Sequence, residues 1–290
     1  MRFVYPIFLF TALLMNILFI NSNELKAEEN LVFAMLPQIP LNKVNEKWLP
    51  ILKQIEKETG IKFDLVFPKD FNEHIEWCKS GKIDIAYSNP VSFLKMMDTA
   101  TLKPMHTALC AAKSKEGFWG LFISRKDNGE IKSLTDIKGK KGTIISWASA
   151  GGYVFQQALA LDNGIDMPKD CEIKIAPRNK QDLAVMQVYK KLTDFACIRN
   201  GILEMMRDQI DINEINIFAE TPKYVEWIIS YSNNGKIKSE TLEKLKKAFL
   251  SIPESIMNDV KLPGDITNFV EVSTAEIESI KKVSERAEAK

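Results

Sequence analysis

Ser146 and Ser149 flank a turn of small residues in the stretch GTIISWASAGGYVFQQALA, residues 142–160, where a strand-like apolar run passes into a helix-like one. A strand that turns tightly into a helix leaves the first backbone N–H groups of the helix without partners, and the aligned peptide dipoles add partial positive charge there. Two hydroxyls beside such a start, with Ala150, Gly151 and Gly152 leaving the main chain bare ahead of Tyr153, suit the oxygens of a small anion. The alternative is that Ser149 only caps the helix and the glycines only relieve crowding.

Nucleophilic chemistry at the same turn is a weaker expectation. Ser149 and Gly151 match the end of the G-x-S-x-G elbow of serine hydrolases, but Trp147 stands where the elbow needs glycine. The two histidines, His74 and His106, precede the serine, whereas that fold supplies its histidine after it. No H-E-x-x-H or C-x-x-C spacing suggests a transition metal, and KGKKGT near Lys140 is too short and misordered for a phosphate-binding P-loop, so neither metal nor cofactor is expected. His74 is expected on a solvated helix face and His106 as a structural histidine in a strand.

The elements around the turn alternate. LVFAMLP reads as a strand, and NEKWLPILKQIEKETG as a helix with Trp48, Leu52 and Ile55 on one face, Gly60 at its end and Pro50 in its first turn. IKFDLVF, a helix capped by Asp70 with Glu73, and KIDIAYSNP continue the pattern. Strands TALCAA, FWGLFISR, GTIISW, EIKIA, DFACI, INIFAE and EWIISY follow, with helices after Gly152 and over DLAVMQVYKK. The chain closes on helices, the last opened by a Ser273/Glu276 capping box. Such alternation predicts an α/β protein with mainly parallel sheets in two lobes. The boundaries are drawn at 28–114 plus 214–290 for the first lobe and 115–213 for the second, with connections at 113–119 and 213–221 as a hinge and a ligand between the lobes.

A net charge of +1 across 290 residues offers no one-signed field for nucleic acid or a membrane surface. Residues 1–27, with Arg2 ahead of an apolar run, predict an export signal cleaved near Ala27 and a periplasmic body; an uncleaved anchor is the alternative. The four cysteines, Cys78, Cys110, Cys171 and Cys197, are too few to staple the chain. Cys171 and Cys197 could pair, or all could be buried thiols.

FAMLPQ, WLPILKQIEKETGIKFDLV, SGKIDIAYSNPVSFL, ISRKDNGEIKSLTDIKGKKG and SAGGYVFQQALALDNGID resemble, in this order, the phosphate/phosphite/phosphonate-binding proteins of ABC importers, over roughly residues 31–282. The resemblance implies a type II, two-lobed periplasmic binding protein with a mixed five-stranded sheet in each lobe. It also implies a non-enzymatic, monomeric function: capture of a small oxyanion for an ABC permease or a membrane histidine kinase. It places Tyr87, Ser88 and Asn89 in the cleft. The family's Ser-Thr-Ser run falls on Ser149, Ala150 and Gly151, its ligand histidine on Gln181, and a ligand-facing acid on Asp194. Arg199 is an added cation near the cleft, or else part of a surface ion pair. Because related proteins sense arsenite or arsenate, Cys110 and Cys197 are candidate soft ligands, with ordinary core cysteines as the alternative.

Overall fold

Val44, Trp48, Ile51, Leu52 and Ile55 recur at helical spacing and are the buried residues of helix α1, Leu41–Thr59. Pro50 therefore lies inside this helix, not in its first turn. Its ring faces solvent. An interior proline costs about 3 kcal/mol, which burial of Val44 and Trp48, at about 1.5–3 kcal/mol each, offsets.

The computed structural model describes residues 29–97 and 106–288. The chain divides into two units, Met1–Asn30 and Leu31–Lys290, and the elements described here belong to the second. The expected export signal and the cut near Ala27 lie outside the described residues.

The first lobe is built on six strands: β1 Leu31–Met35, β2 Phe63–Val66, β3 Ile85–Ser88, β4 His106–Ser114, β10 Ile228–Ser232 and β11 Ile266–Val270. They lie in the order β11-β4-β10-β3-β1-β2, one strand more than expected. The second lobe has five: β5 Gly120–Arg125, β6 Lys141–Ile144, β7 Glu172–Ile175, β8 Phe195–Arg199 and β9 Ile215–Glu220, in the order β7-β6-β8-β5-β9.

Both sheets are mixed. β1 pairs parallel with β2 and β3, and β6 with β7 and β8. β10 runs antiparallel to β3 and β4, and β5 antiparallel to β8 and β9. β5 and β10, the strands that follow the two crossings, are antiparallel to their neighbours, and β11 likewise runs antiparallel to β4.

β9 pairs with β5 in the second sheet, so the chain leaves that lobe after Glu220 and not near residue 213. The crossings are residues 115–119 and 221–227, and they pair with each other through a bridge between Phe118 and Tyr224. Ile217 on β9 is exposed, and it is main-chain pairing to β5, not burial, that places this edge strand.

Of the remaining helices, α2 (Phe71–Lys79) is capped by Asp70, whose Oδ1 accepts the Glu73 N–H at 2.9 Å. Phe71, His74, Ile75 and Cys78 form its buried face. His74 is thus fully buried, contrary to the solvated face expected of it, because it sits three residues from Phe71 and four from Cys78 on the core stripe. α3 is Pro90–Met97, α4 Phe155–Asp162, α5 Met167–Asp170, α6 Gln181–Tyr189, α7 Ile202–Met205, α8 Ser239–Leu250, α9 Glu254–Val260 and α10 Thr274–Glu288. α10 opens with the expected Ser273/Glu276 capping box. It ends on the second lobe, where Arg286 Nη2 meets Asp162 Oδ1 at 2.7 Å.

Candidate ligand site between the lobes

The small-residue turn folds as a single π-helical segment, Ala150–Val154, continuous with α4. The Val154 N–H donates to the Ser149 carbonyl at 2.9 Å, and the N–H groups of Ala150 through Tyr153 precede that first bond of the ladder. Ser149 is buried and its hydroxyl makes no capping bond, so the alternative in which it merely caps the helix is not what forms. Ser146 holds the approach: its Oγ accepts the Ala148 N–H at 3.2 Å and its carbonyl accepts the Ser149 N–H at 3.0 Å.

The glycines answer to packing. A Cβ on Gly151 would lie 2.6 Å from the Phe118 ring and 3.0 Å from Arg199 Cβ. One on Gly152 would lie 2.3 Å from Ile145 Cγ1. Gln156, which sequence reasoning missed, pins the turn from behind: its Nε2 donates to the carbonyls of Gly151 at 2.8 Å and Ile198 at 3.0 Å.

A second helix start meets this one from the first lobe. Asn89 Oδ1 accepts the Ser92 N–H at 2.9 Å, capping α3, while its Nδ2 donates across the gap to the Ala148 carbonyl at 3.4 Å. Ser92 Oγ donates to the same carbonyl at 3.4 Å. Two helix N-termini therefore converge on one small region, each adding partial positive charge.

Tyr87 lies two residues before Asn89, near the end of β3. Its ring lies 4.7 Å from Trp48 and 5.0 Å from Trp227, centroid to centroid, and burial holds its phenol well above the usual range. The adjacent negative charge of Glu226 pushes the same way, and Arg199 opposes it. Ser88, on the opposite face of β3, turns into its own lobe and lies 2.8 Å from His74 Nε2. Burial drives the His74 pKa down to about 3.

Arg199 ends β8 at the gap, but its guanidinium is engaged. It lies over the Phe118 ring at 4.7 Å, and its Nη2 meets Glu226 Oε1 at 3.4 Å. Both side chains are buried, so this is an interior pair and not a surface one. Gln181, first residue of α6, uses its Oε1 to accept the Arg199 N–H at 3.1 Å. Beside it Lys180 reaches the first lobe, donating to the carbonyls of Ile39 at 2.8 Å and Pro37 at 3.3 Å, with burial lowering its pKa to about 8.

Against this geometry, the family described as ABC transporter, phosphonate, periplasmic substrate-binding protein matches residues 33–277. The chain belongs to that family. It is a family of substrate-binding proteins, not of enzymes.

The chain is 23% identical over 138 residues to the phosphate-import protein PhnD of Mycolicibacterium smegmatis, covering 47% of this chain and 43% of the relative. It is 27% identical over 114 residues to the phosphonates-binding periplasmic protein of Escherichia coli, covering 39% and 33%. These alignments thus span less than half the length of either relative. Among solved structures, PhnD1 of Prochlorococcus marinus in complex with methylphosphonate superposes with a TM-score of 0.77 at 14% identity, covering 90% of this chain and 99% of that one. A binding protein component of an ABC phosphonate transporter from Pseudomonas aeruginosa gives 0.76 at 17%, covering 90% and 87%. Both likenesses establish the two-lobed fold.

Of the residues expected at the family's cleft, Asn89 reaches across the gap to the Ala148 carbonyl, within the turn that holds Ser146, Ser149, Ala150, Gly151 and Gly152, and Gly151 lies against Arg199 Cβ. Tyr153 is packed edge-on against the half-exposed Trp147, 4.9 Å away. Asp194 is not among them: it precedes β8, at the opposite end of that strand from Arg199, and its Oδ2 accepts the Lys141 N–H at 2.8 Å. The cysteines do not converge either. Cys110 lies in the first sheet opposite Ile229 and Cys197 in the second opposite Phe122, both buried, with burial pushing both thiols up. Cys171 is likewise a free thiol, pushed up to about 11, and no disulfide joins it to Cys197. No histidine approaches Ser149, since His74 is taken up by Ser88 and His106 by Ser230 at 3.1 Å. Among the described residues no cluster could hold a metal ion, and no helix is long and apolar enough to cross a membrane.

Sequence reasoning missed Ser92, Lys180, Glu226 and Trp227. The N-x-x-S spacing of Asn89 and Ser92 was a cap signal, and Glu226 was a lone acid inside the apolar run VEWIIS. Nothing in the sequence around Lys180 pointed across the gap.

Proposed function

We propose that this protein captures a small tetrahedral oxyanion, such as phosphate, phosphite, a phosphonate or arsenate, between its lobes in the periplasm and delivers it to an ABC permease. One observation carries the reading. The π-helical start at Ala150 and the start of α3 at Pro90 are drawn together through the Ala148 carbonyl. Main-chain N–H groups and hydroxyls in a dry gap stabilise negative oxygen atoms without a free cation. Release then requires the lobes to part about the paired crossings at Phe118 and Tyr224.

A sensor that holds arsenite on a thiol has less support, since Cys110 and Cys197 are buried in different sheets and kept protonated.

A thermal-shift panel of phosphate, phosphite, methylphosphonate, arsenate, arsenite and sulfate tests the reading. A true ligand at a hundred times its Kd adds about 2.7 kcal/mol of stability. A shift with arsenite alone, abolished by thiol blocking, would move the assignment to sensing. No shift with any oxyanion would defeat it.

A further inference from the structure

Two carbonyls of the first lobe take their donor from the second. Lys180 Nζ donates to the Ile39 carbonyl at 2.8 Å and to the Pro37 carbonyl at 3.3 Å. Among the described residues no main-chain N–H donates to either oxygen, so the ammonium is what satisfies both. Its contact with Ile39 is shorter than the other crossings at the gap, those of Asn89 and Ser92 to Ala148, each at 3.4 Å.

The chain before Lys180 is shaped to aim it. Arg178 and Asn179 both lie in the left-handed region, at φ 54° and 55°, where residues other than glycine are strained. Asn179 Nδ2 donates to the Ile145 carbonyl at 2.7 Å, which ties this turn to the chain just after β6. On the other side Gln181 is fixed by the Arg199 N–H. A strained turn, held from both sides within its own lobe, thus presents one long side chain to the opposite lobe. The seat it enters is apolar: Met35, Leu41, Val44 and Phe67 line the same cavity.

We propose that Lys180 is a positioning residue for capture, latching the second lobe onto the segment after β1 when the gap closes and letting go when it opens, so that it sets how long the oxyanion is held. The inference rests on the reading of the gap as an oxyanion site. Once the lobes part, the ammonium and both carbonyls return to water, so the contact favours the closed form alone. In its half-buried, apolar seat the charge is less well solvated than in water, and closing therefore draws a proton off the lysine in the alkaline range. The charged groups around Lys180 are Asp182 and Arg178 beside it in the second lobe and Lys69 of the first, which lines the same cavity.

Stopped-flow release and titration calorimetry of the purified protein, with inorganic phosphate and with methylphosphonate, test this. Lys180→Gln should release either ligand about tenfold faster, with association within about twofold of wild type. Lys180→Arg, which keeps a charge and its donors, should restore slow release. Between about pH 8 and the ordinary lysine range, closing sheds a proton from the wild type and from neither variant. Wild-type affinity should therefore rise relative to both variants, by up to about tenfold per pH unit. Release from Lys180→Gln at the wild-type rate overturns the inference and leaves the oxyanion reading intact. A pH profile of affinity shared by wild type and Lys180→Gln overturns it too. If neither phosphate nor methylphosphonate binds the wild type, both fall together.

Discussion

The side-chain amide of Asn89 in the first lobe donates to the carbonyl of Ala148 in the second, while its Oδ1 caps the helix that begins at Pro90. One residue thus both shapes a helix start and ties the lobes at the gap.

Asn89→Asp separates the two tasks. The carboxylate still caps α3, but the donor to Ala148 is gone and a negative charge enters an anion site. Thermal denaturation should show a loss of stability, because the new charge is buried, and calorimetry should register at least about a tenfold loss of oxyanion affinity. Asn89→Ala should also lose about 1 kcal/mol of stability with its cap.

Gly151→Ala sets a methyl group 2.6 Å from the Phe118 ring at the hinge. Overpacking of this kind costs about 1–3 kcal/mol, measurable by urea denaturation. A stability equal to wild type would mean that Phe118 moves freely.

Arg199→Met leaves Glu226 as an uncompensated buried charge and should cost about 3–5 kcal/mol in urea denaturation. Adding Glu226→Gln to that variant should recover much of the loss, because the charge is then removed from both sides. A double variant no more stable than Arg199→Met would show that the packing of the guanidinium on Phe118, not its charge, is what matters.

Lys180 gives a signed dependence on pH. Its folded pKa is lowered to about 8 by burial, with Asp182 opposing the shift and Arg178 adding to it. Between about pH 8 and the ordinary lysine range the unfolded chain holds a proton that the folded chain has released, so stability rises with pH across that window. Lys180→Gln should remove the rise; denaturation midpoints at several alkaline pH values check it.

His74 and His106 act at the acid end. Both are held neutral by burial, at about 3 and about 4, below the usual histidine value. The unfolded chain takes up these protons first, so stability should be lost as pH falls from about 6.5 toward 3. His74→Gln should shrink that loss in a pH series of thermal melts.

Much of the fold was legible because it depends on local chemistry. Asp70 with Glu73 and Ser273 with Glu276 are caps that act within one turn, and both form as the spacing predicts. What stayed hidden depends on distant partners. Pro50 is tolerated because Trp48 and Ile55 are buried by other elements, and β9 is placed by pairing with a strand that lies far from it in sequence.

The site divides the same way. The turn at Ser149 announced itself through small residues, and Asn89 through the family resemblance of its segment. Whether a candidate faces the gap depends on strand ends and faces: Ser88 and Asp194 carry suitable groups but point elsewhere. Glu226 became meaningful only when Arg199 came to lie against it.

The bridge between Phe118 and Tyr224 limits how the two halves can travel. It is a single antiparallel bridge, so the two crossings are fastened at one point and a hinge motion there has to bend both.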